Sequence, residues 1–105
     1  MPLLPGTVTA SEVMRARELG LRCLKFFPAE AAGGTAVLKG FGAVFSDIVF
    51  CPTGGITAAS APSYLQLRNV ACVGGSWLAP PALLAARDWA QIEALARAAS
   101  QLGSA

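Results

Sequence analysis

Short apolar runs that each end in a Gly- or Pro-containing loop alternate along this chain with helix-like stretches, and that alternation limits the fold more than any other feature. Parallel strands need crossover connections, and helices between buried strands supply them, so the pattern predicts an α/β protein built from consecutive βα units. Four units are counted, with strands expected near 2–4, 21–27, 48–51 and 70–73. After the first strand, Thr9-Ala10-Ser11-Glu12 forms a capping box for a helix closed by Gly20, with Val13, Ala16 and Leu19 as its apolar stripe. The second strand ends at Pro28, and a helix from about 35 to 41 follows Gly33-Gly34. The third ends in Pro52-Thr53-Gly54-Gly55, ahead of a helix near 58–65. The fourth ends in Gly74-Gly75-Ser76-Trp77, after which Pro80-Pro81 starts a short helix. Asp88 caps a longer helix reaching about Leu102, whose buried stripe is Ile92, Leu95, Ala96 and Ala99.

With 105 residues, 54% of them hydrophobic, the chain is expected to form one domain over residues 1–105 around a single core. Charged residues make up 13%, and the net charge of +2 is not clustered, so no nucleic-acid partner is expected. No apolar run approaches the roughly 20 residues of a membrane span. The N-terminus lacks the basic and apolar regions of a signal peptide, which makes the cytoplasm the expected compartment. Cys23, Cys51 and Cys72, the first two beside strand-like residues, are expected as small buried hydrophobes and not as a disulfide framework. The absence of histidine argues against a zinc site and against Ser-His-Asp or Cys-His catalysis, and neither metal nor cofactor is expected.

Lys25 interrupts the apolar run Cys23-Leu24-Lys25-Phe26-Phe27-Pro28. Strand alternation places Cys23, Lys25 and Phe27 on one face and Leu24 and Phe26 on the other. An amine partly removed from water there loses some of its preference for the charged form and becomes a candidate nucleophile towards a carbonyl. Parallel strands deliver their following loops to one edge, so Lys25 is expected to meet Thr53-Gly54-Gly55 and Gly75-Ser76. Glycine pairs after strands let backbone N–H groups approach a ligand, and Thr53 and Ser76 add hydroxyls, a combination suited to a phosphate, particularly with a helix N-terminus behind it. Simpler readings stand beside these. A strand lysine also snorkels to solvent, a glycine pair also serves as a tight turn, Phe27 and Trp77 also serve as packing, and Glu30 and Asp88 read as first-turn residues favoured by the helix dipole.

The segments Leu24-Lys25-Phe26-Phe27-Pro28-Ala29-Glu30, Phe50-Cys51-Pro52-Thr53-Gly54-Gly55-Ile56 and Val73-Gly74-Gly75-Ser76-Trp77-Leu78 closely resemble, in order, those of the 2-keto-3-deoxy-6-phosphogluconate (KDPG) and 4-hydroxy-2-oxoglutarate (KHG) aldolases. Leu4-Pro5-Gly6-Thr7 and Glu12-Val13-Met14 are similar to that family too. The resemblance implies a (β/α)8 barrel of which this chain supplies the four C-terminal units. It implies a metal-independent class I aldolase with Lys25 as Schiff-base lysine, Gly54, Gly55 and Ser76 on the substrate phosphate, Thr53 lining the pocket and Phe27 packing beside the lysine. The partners implied are a phosphorylated keto acid and further subunits, commonly three, or a separate N-terminal half. The general acid/base glutamate and the carboxylate-binding residues belong to the half that has no match here. A catalytically incomplete half-barrel, acting as a phosphate-binding or assembly module, is the alternative.

Overall fold

The structure, a computed structural model, describes residues 1–103. In chain order the elements are β1 (Gly6–Thr7), α1 (Ala10–Glu18), β2 (Cys23–Phe26), α2 (Gly34–Val44), β3 (Val49–Pro52), α3 (Ala61–Leu65), α4 (Pro81–Ala85) and α5 (Trp89–Ala99). The named strands form one parallel sheet in the order β1-β2-β3, with Gly6 opposite Lys25 and Lys25 opposite Cys51. The α/β class and the alternation of strands with helices agree with the sequence pattern.

Two strand positions differ from expectation. The first strand is not at 2–4 but at Gly6–Thr7, because the pairing groups lie there. The Lys25 amide donates to the Pro5 carbonyl (2.9 Å), the Phe27 amide donates to the Thr7 carbonyl (3.2 Å), and the buried Thr7 hydroxyl donates to the Lys25 carbonyl (3.0 Å). Leu3 and Leu4, which suggested a strand by their apolarity, are exposed. At 70–73 there is no continuous strand, only single parallel bridges from Phe50 to Val70 and from Thr53 to Gly74. Between them Ala71, Cys72 and Val73 stand opposite Cys51 and Pro52, and this extra residue breaks the ladder as a bulge does.

The sheet buries one face. Leu24, Phe26 and Phe50 are within 1% of complete burial and pack with Val13, Leu38, Ile48 and Tyr64. Phe26, Phe41, Phe45 and Phe50 form a cluster with ring centroids 5.8 to 6.4 Å apart, mostly edge-on. Each such pair adds about 0.5–1.5 kcal/mol beyond area burial. The opposite face is open: Cys23 and Cys72 are exposed, and Lys25 and Cys51 are half-buried. The expectation of buried cysteines therefore fails, because strand alternation puts them on Lys25's face and not on that of Leu24 and Phe26.

α1 begins as its sequence requires. Thr9 Oγ1 accepts from the Glu12 amide (3.2 Å) and Glu12 Oε1 accepts from the Thr9 amide (2.9 Å), the reciprocal pair of a capping box. Asp88 likewise caps α5 by accepting from the Gln91 amide at 3.1 Å. The stripe expected on α5 is not buried, however. Ile92, Leu95 and Ala99 are half-exposed, Ala96 is exposed, and α4 and α5 pack chiefly on each other. No helix among the described residues is long and apolar enough to cross a membrane.

Candidate active site

Lys25 sits at the middle of β2, half-buried on the open face, with its Nζ 5.2 Å from the centroid of the Phe27 ring. A cation over an aromatic face is attracted by the ring's quadrupole, which holds the lysine head towards the loop that follows its own strand. Phe27, half-exposed, then forms one wall of a cavity of about 540 Å³ shared with Thr53, Gly54, Gly55, Ser76 and Trp77. All the sequence-predicted pocket residues thus line one hollow. Lys25 does not line it directly and joins it through the Phe27 ring.

The glycine loop after β3 is shaped by contacts that no side chain would permit. Gly54 and Gly55 have φ of +108° and +74°, and Cβ atoms there would stand 3.2 Å from the Phe27 ring and 2.8 Å from Glu30 Cβ. The Ala29 amide donates to the Thr53 carbonyl (2.8 Å) and the Glu30 amide to the Gly54 carbonyl (3.1 Å), which ties the lysine loop to the glycine loop. On the other side, the Gly74 amide donates to the Pro52 carbonyl (2.8 Å), and a Cβ at Gly74 would lie 2.7 Å from Thr53 Oγ1. The three loops therefore interlock through backbone. α3 begins at Ala61, so its N-terminus does not directly follow the glycine pair as expected from a start near 58. The chain first forms a turn in which the Thr57 and Ser60 side chains accept from each other's backbone amides.

Sequence reasoning missed one pair. Tyr64, buried on α3, donates a 2.7 Å hydrogen bond to Glu30 Oε1. Burial, and then the Glu30 hydrogen bond and charge, push the Tyr64 hydroxyl far above its ordinary pKa, so it remains a donor. Glu30 lies in the turn before α2, not in the first turn of a helix as its sequence suggested. The available signal was Tyr64 itself: a chain's single tyrosine, placed among apolar neighbours, needs a partner for its hydroxyl.

A hollow of about 480 Å³ at the opposite end of the sheet is lined by Lys39, Phe45, Ile48, Arg68 and Asn69 among others. It gathers the beginnings of strands, where the loops after parallel strands do not converge.

Fold and cleft together define the class: a parallel βα protein with a cleft built on the loops following its strands. The chain belongs to the KDPG and KHG aldolase family, whose sequence model matches residues 1–95. It is 52% identical over 99 residues to a 2-dehydro-3-deoxy-phosphogluconate aldolase of Pseudomonas aeruginosa, covering 94% of this chain and 45% of that protein. Its structure is similar to that of the Legionella pneumophila KDPG aldolase with pyruvate captured as a covalent carbinolamine, with a TM-score of 0.92 and 45% identity over 94% of this chain and 48% of that one. It is also similar to the Zymomonas mobilis 2-keto-3-deoxy-6-phosphogluconate aldolase with 3-phosphoglycerate, with a TM-score of 0.87 and 50% identity over 95% of this chain and 46% of that one. The chain spans about half the length of the relatives it matches.

Proposed function

We propose that this chain is the imine-forming, phosphate-binding half of a class I aldolase that cleaves 2-keto-3-deoxy-6-phosphogluconate to pyruvate and glyceraldehyde 3-phosphate, 4-hydroxy-2-oxoglutarate to pyruvate and glyoxylate, or both. The observation that carries the reading is the Lys25 ammonium resting on the Phe27 ring, which itself walls the cavity of Gly54, Gly55 and Ser76. In its neutral form Lys25 Nζ attacks the C2 carbonyl carbon to give a carbinolamine, and loss of water leaves the protonated imine. When the C3–C4 bond breaks, its electron pair moves into the imine to form an enamine, and the C4 hydroxyl gives up its proton as the aldehyde departs. Protonation at C3 and addition of water then release pyruvate and regenerate the amine. Gly54 and Gly55 N–H groups and the Ser76 hydroxyl hold the phosphate, Thr53 lines the pocket, and no metal or organic cofactor takes part.

The order of parallel strands and helices supports reading the chain as the four C-terminal units of a (β/α)8 barrel, closed by an N-terminal half or by further copies of this chain. The missing half would bring the general acid/base. Glu30 does not replace it, because its carboxylate accepts from Tyr64 on α3 and the residue does not line the cavity. That engagement favours a second reading, in which the chain alone binds phosphate and forms the imine without efficient turnover. Proton transfer by a placed group supplies about 10²- to 10⁴-fold in rate, so cleavage by this chain is expected to be slower by that factor while imine formation persists.

Borohydride reduction in the presence of pyruvate, read by peptide mass spectrometry, tests the assignment. An adduct is expected on Lys25 and absent from Lys25→Arg, with the exposed Lys39 as internal control. Wild-type protein without a Lys25 adduct overturns the reading.

A further inference from the structure

Four segments meet at one carboxylate. Glu30 Oε1 accepts the 2.7 Å hydrogen bond from Tyr64 on α3, which is 1% exposed, and the Glu30 amide donates to the Gly54 carbonyl at 3.1 Å. The Glu30 Cβ and Cγ fill the space that a side chain on Gly55 would need, at 2.8 and 2.9 Å from the added Cβ. Gly34, buried at the start of α2 with φ +64°, leaves room for the pair. A Cβ there would lie 3.1 Å from the Tyr64 hydroxyl oxygen and 4.0 Å from Glu30 Oε2.

We propose that Glu30 and Tyr64 are positioning residues: their hydrogen bond pins the glycine loop relative to the lysine loop, so that a phosphorylated 2-keto acid reaches Lys25 and the loop at once. The proposal rests on the roles given above to Lys25 and to the glycine loop. A substrate held at two ends depends on their separation, and a displacement of about 1 Å costs on the order of a hundredfold in rate. A keto acid without phosphate engages only the lysine end and is insensitive to the pin. A carboxylate suits this place because a hydrogen bond to an ionised acceptor is shorter and stronger than a neutral one, and Glu30's own backbone amide carries the constraint into Gly54.

The test compares borohydride trapping at Lys25, by mass spectrometry, with pyruvate and with 2-keto-3-deoxy-6-phosphogluconate over a range of concentrations. In Tyr64→Phe and in Glu30→Ala the half-saturating concentration of the phosphorylated acid is expected to rise about tenfold, the loss typical of one hydrogen bond to a charged group. That for pyruvate is expected to stay within about twofold, and the double variant to be no worse than either single one. Glu30→Gln, whose amide oxygen still accepts from Tyr64, is expected to restore most of the preference for the phosphorylated acid. A parallel shift for both acids, or folded variants identical to wild type, overturns the pin. If Tyr64→Phe does not fold, the Glu30 variants decide, since Glu30 is an exposed residue. Wild-type protein that traps neither acid overturns the lysine assignment and the pin with it. Wild-type protein without preference for the phosphorylated acid overturns the glycine-loop assignment, while intact preference in every variant overturns the pin alone.

Discussion

A methyl group added at Gly55 would have to occupy space held by Glu30 Cβ and Cγ while its backbone stayed at φ +74°. The left-handed conformation alone costs an L-residue about 1–2 kcal/mol, so Gly55→Ala is expected to lower the melting temperature and weaken inorganic phosphate binding measured by calorimetry. Gly6→Ala, with nothing within 4 Å of its added Cβ, is the matched control and should do neither. Cys72 gives a second residue-level prediction. Crowding by the surrounding protein, then a hydrogen bond with Cys51 and the nearness of Cys51 and Cys23, raise its thiol pKa although its surface is open to solvent. The pH at which its iodoacetamide alkylation accelerates should lie above the ordinary thiol value, and Cys51→Ala should bring it down. Lys25 was legible in the sequence because a charge inside an apolar run breaks a pattern, and the glycine loops because they follow strands. Glu30 was not, since its partner lies 34 residues away and its local context is that of an ordinary helix start.

At the scale of elements, sequence was most informative where the controlling interaction is local. The α1 capping box is contained in four consecutive residues, and Thr9→Ala is expected to destabilise by about 1 kcal/mol in thermal or urea unfolding. Strand limits depend on which backbone groups a neighbour offers, and apolarity at 2–4 carried no information about that. The bulged segment from Val70 to Gly74 is of the same kind, because one extra residue in a pairing has no local signature. Between elements, Arg17 on α1 and Arg22 before β2 converge on Asp47 before β3, at 2.9 and 3.4 Å. The Arg17 hydrogen bond holds the Asp47 carboxyl below its ordinary range. A lowered folded pKa stabilises above the unfolded value of 3.8 and is lost as pH falls through the still lower folded value. Asp47→Asn should therefore melt below wild type at neutral pH, and the gap should close in acid below that unfolded value.

The whole molecule has an extent that its length alone does not explain. Its radius of gyration is 14.9 Å, against about 13 Å for a compact domain of this size, and its axes measure 45 × 31 × 25 Å. The excess arises because one sheet face is covered and the other is not, β1 has a neighbour on one side only, and α4 and α5 bury no residue. Large apolar groups, Leu3, Leu4, Leu84 and Trp89 among them, consequently face outward. Composition signalled enough apolar material for a core but not that part of it stays on the surface. Unpaired strand edges beside exposed apolar side chains favour pairing with another chain. Static light scattering across a concentration series is expected to show a mass rising above that of the 10.7 kDa chain, together with a blue shift of tryptophan emission as Trp89, 59% exposed, is covered. Trp89→Phe should remove the larger part of that shift while leaving association intact, because Trp77 is already partly buried against the core. A protein that stays monomeric at every concentration and still unfolds in one cooperative transition would show that the open edges are satisfied within the chain.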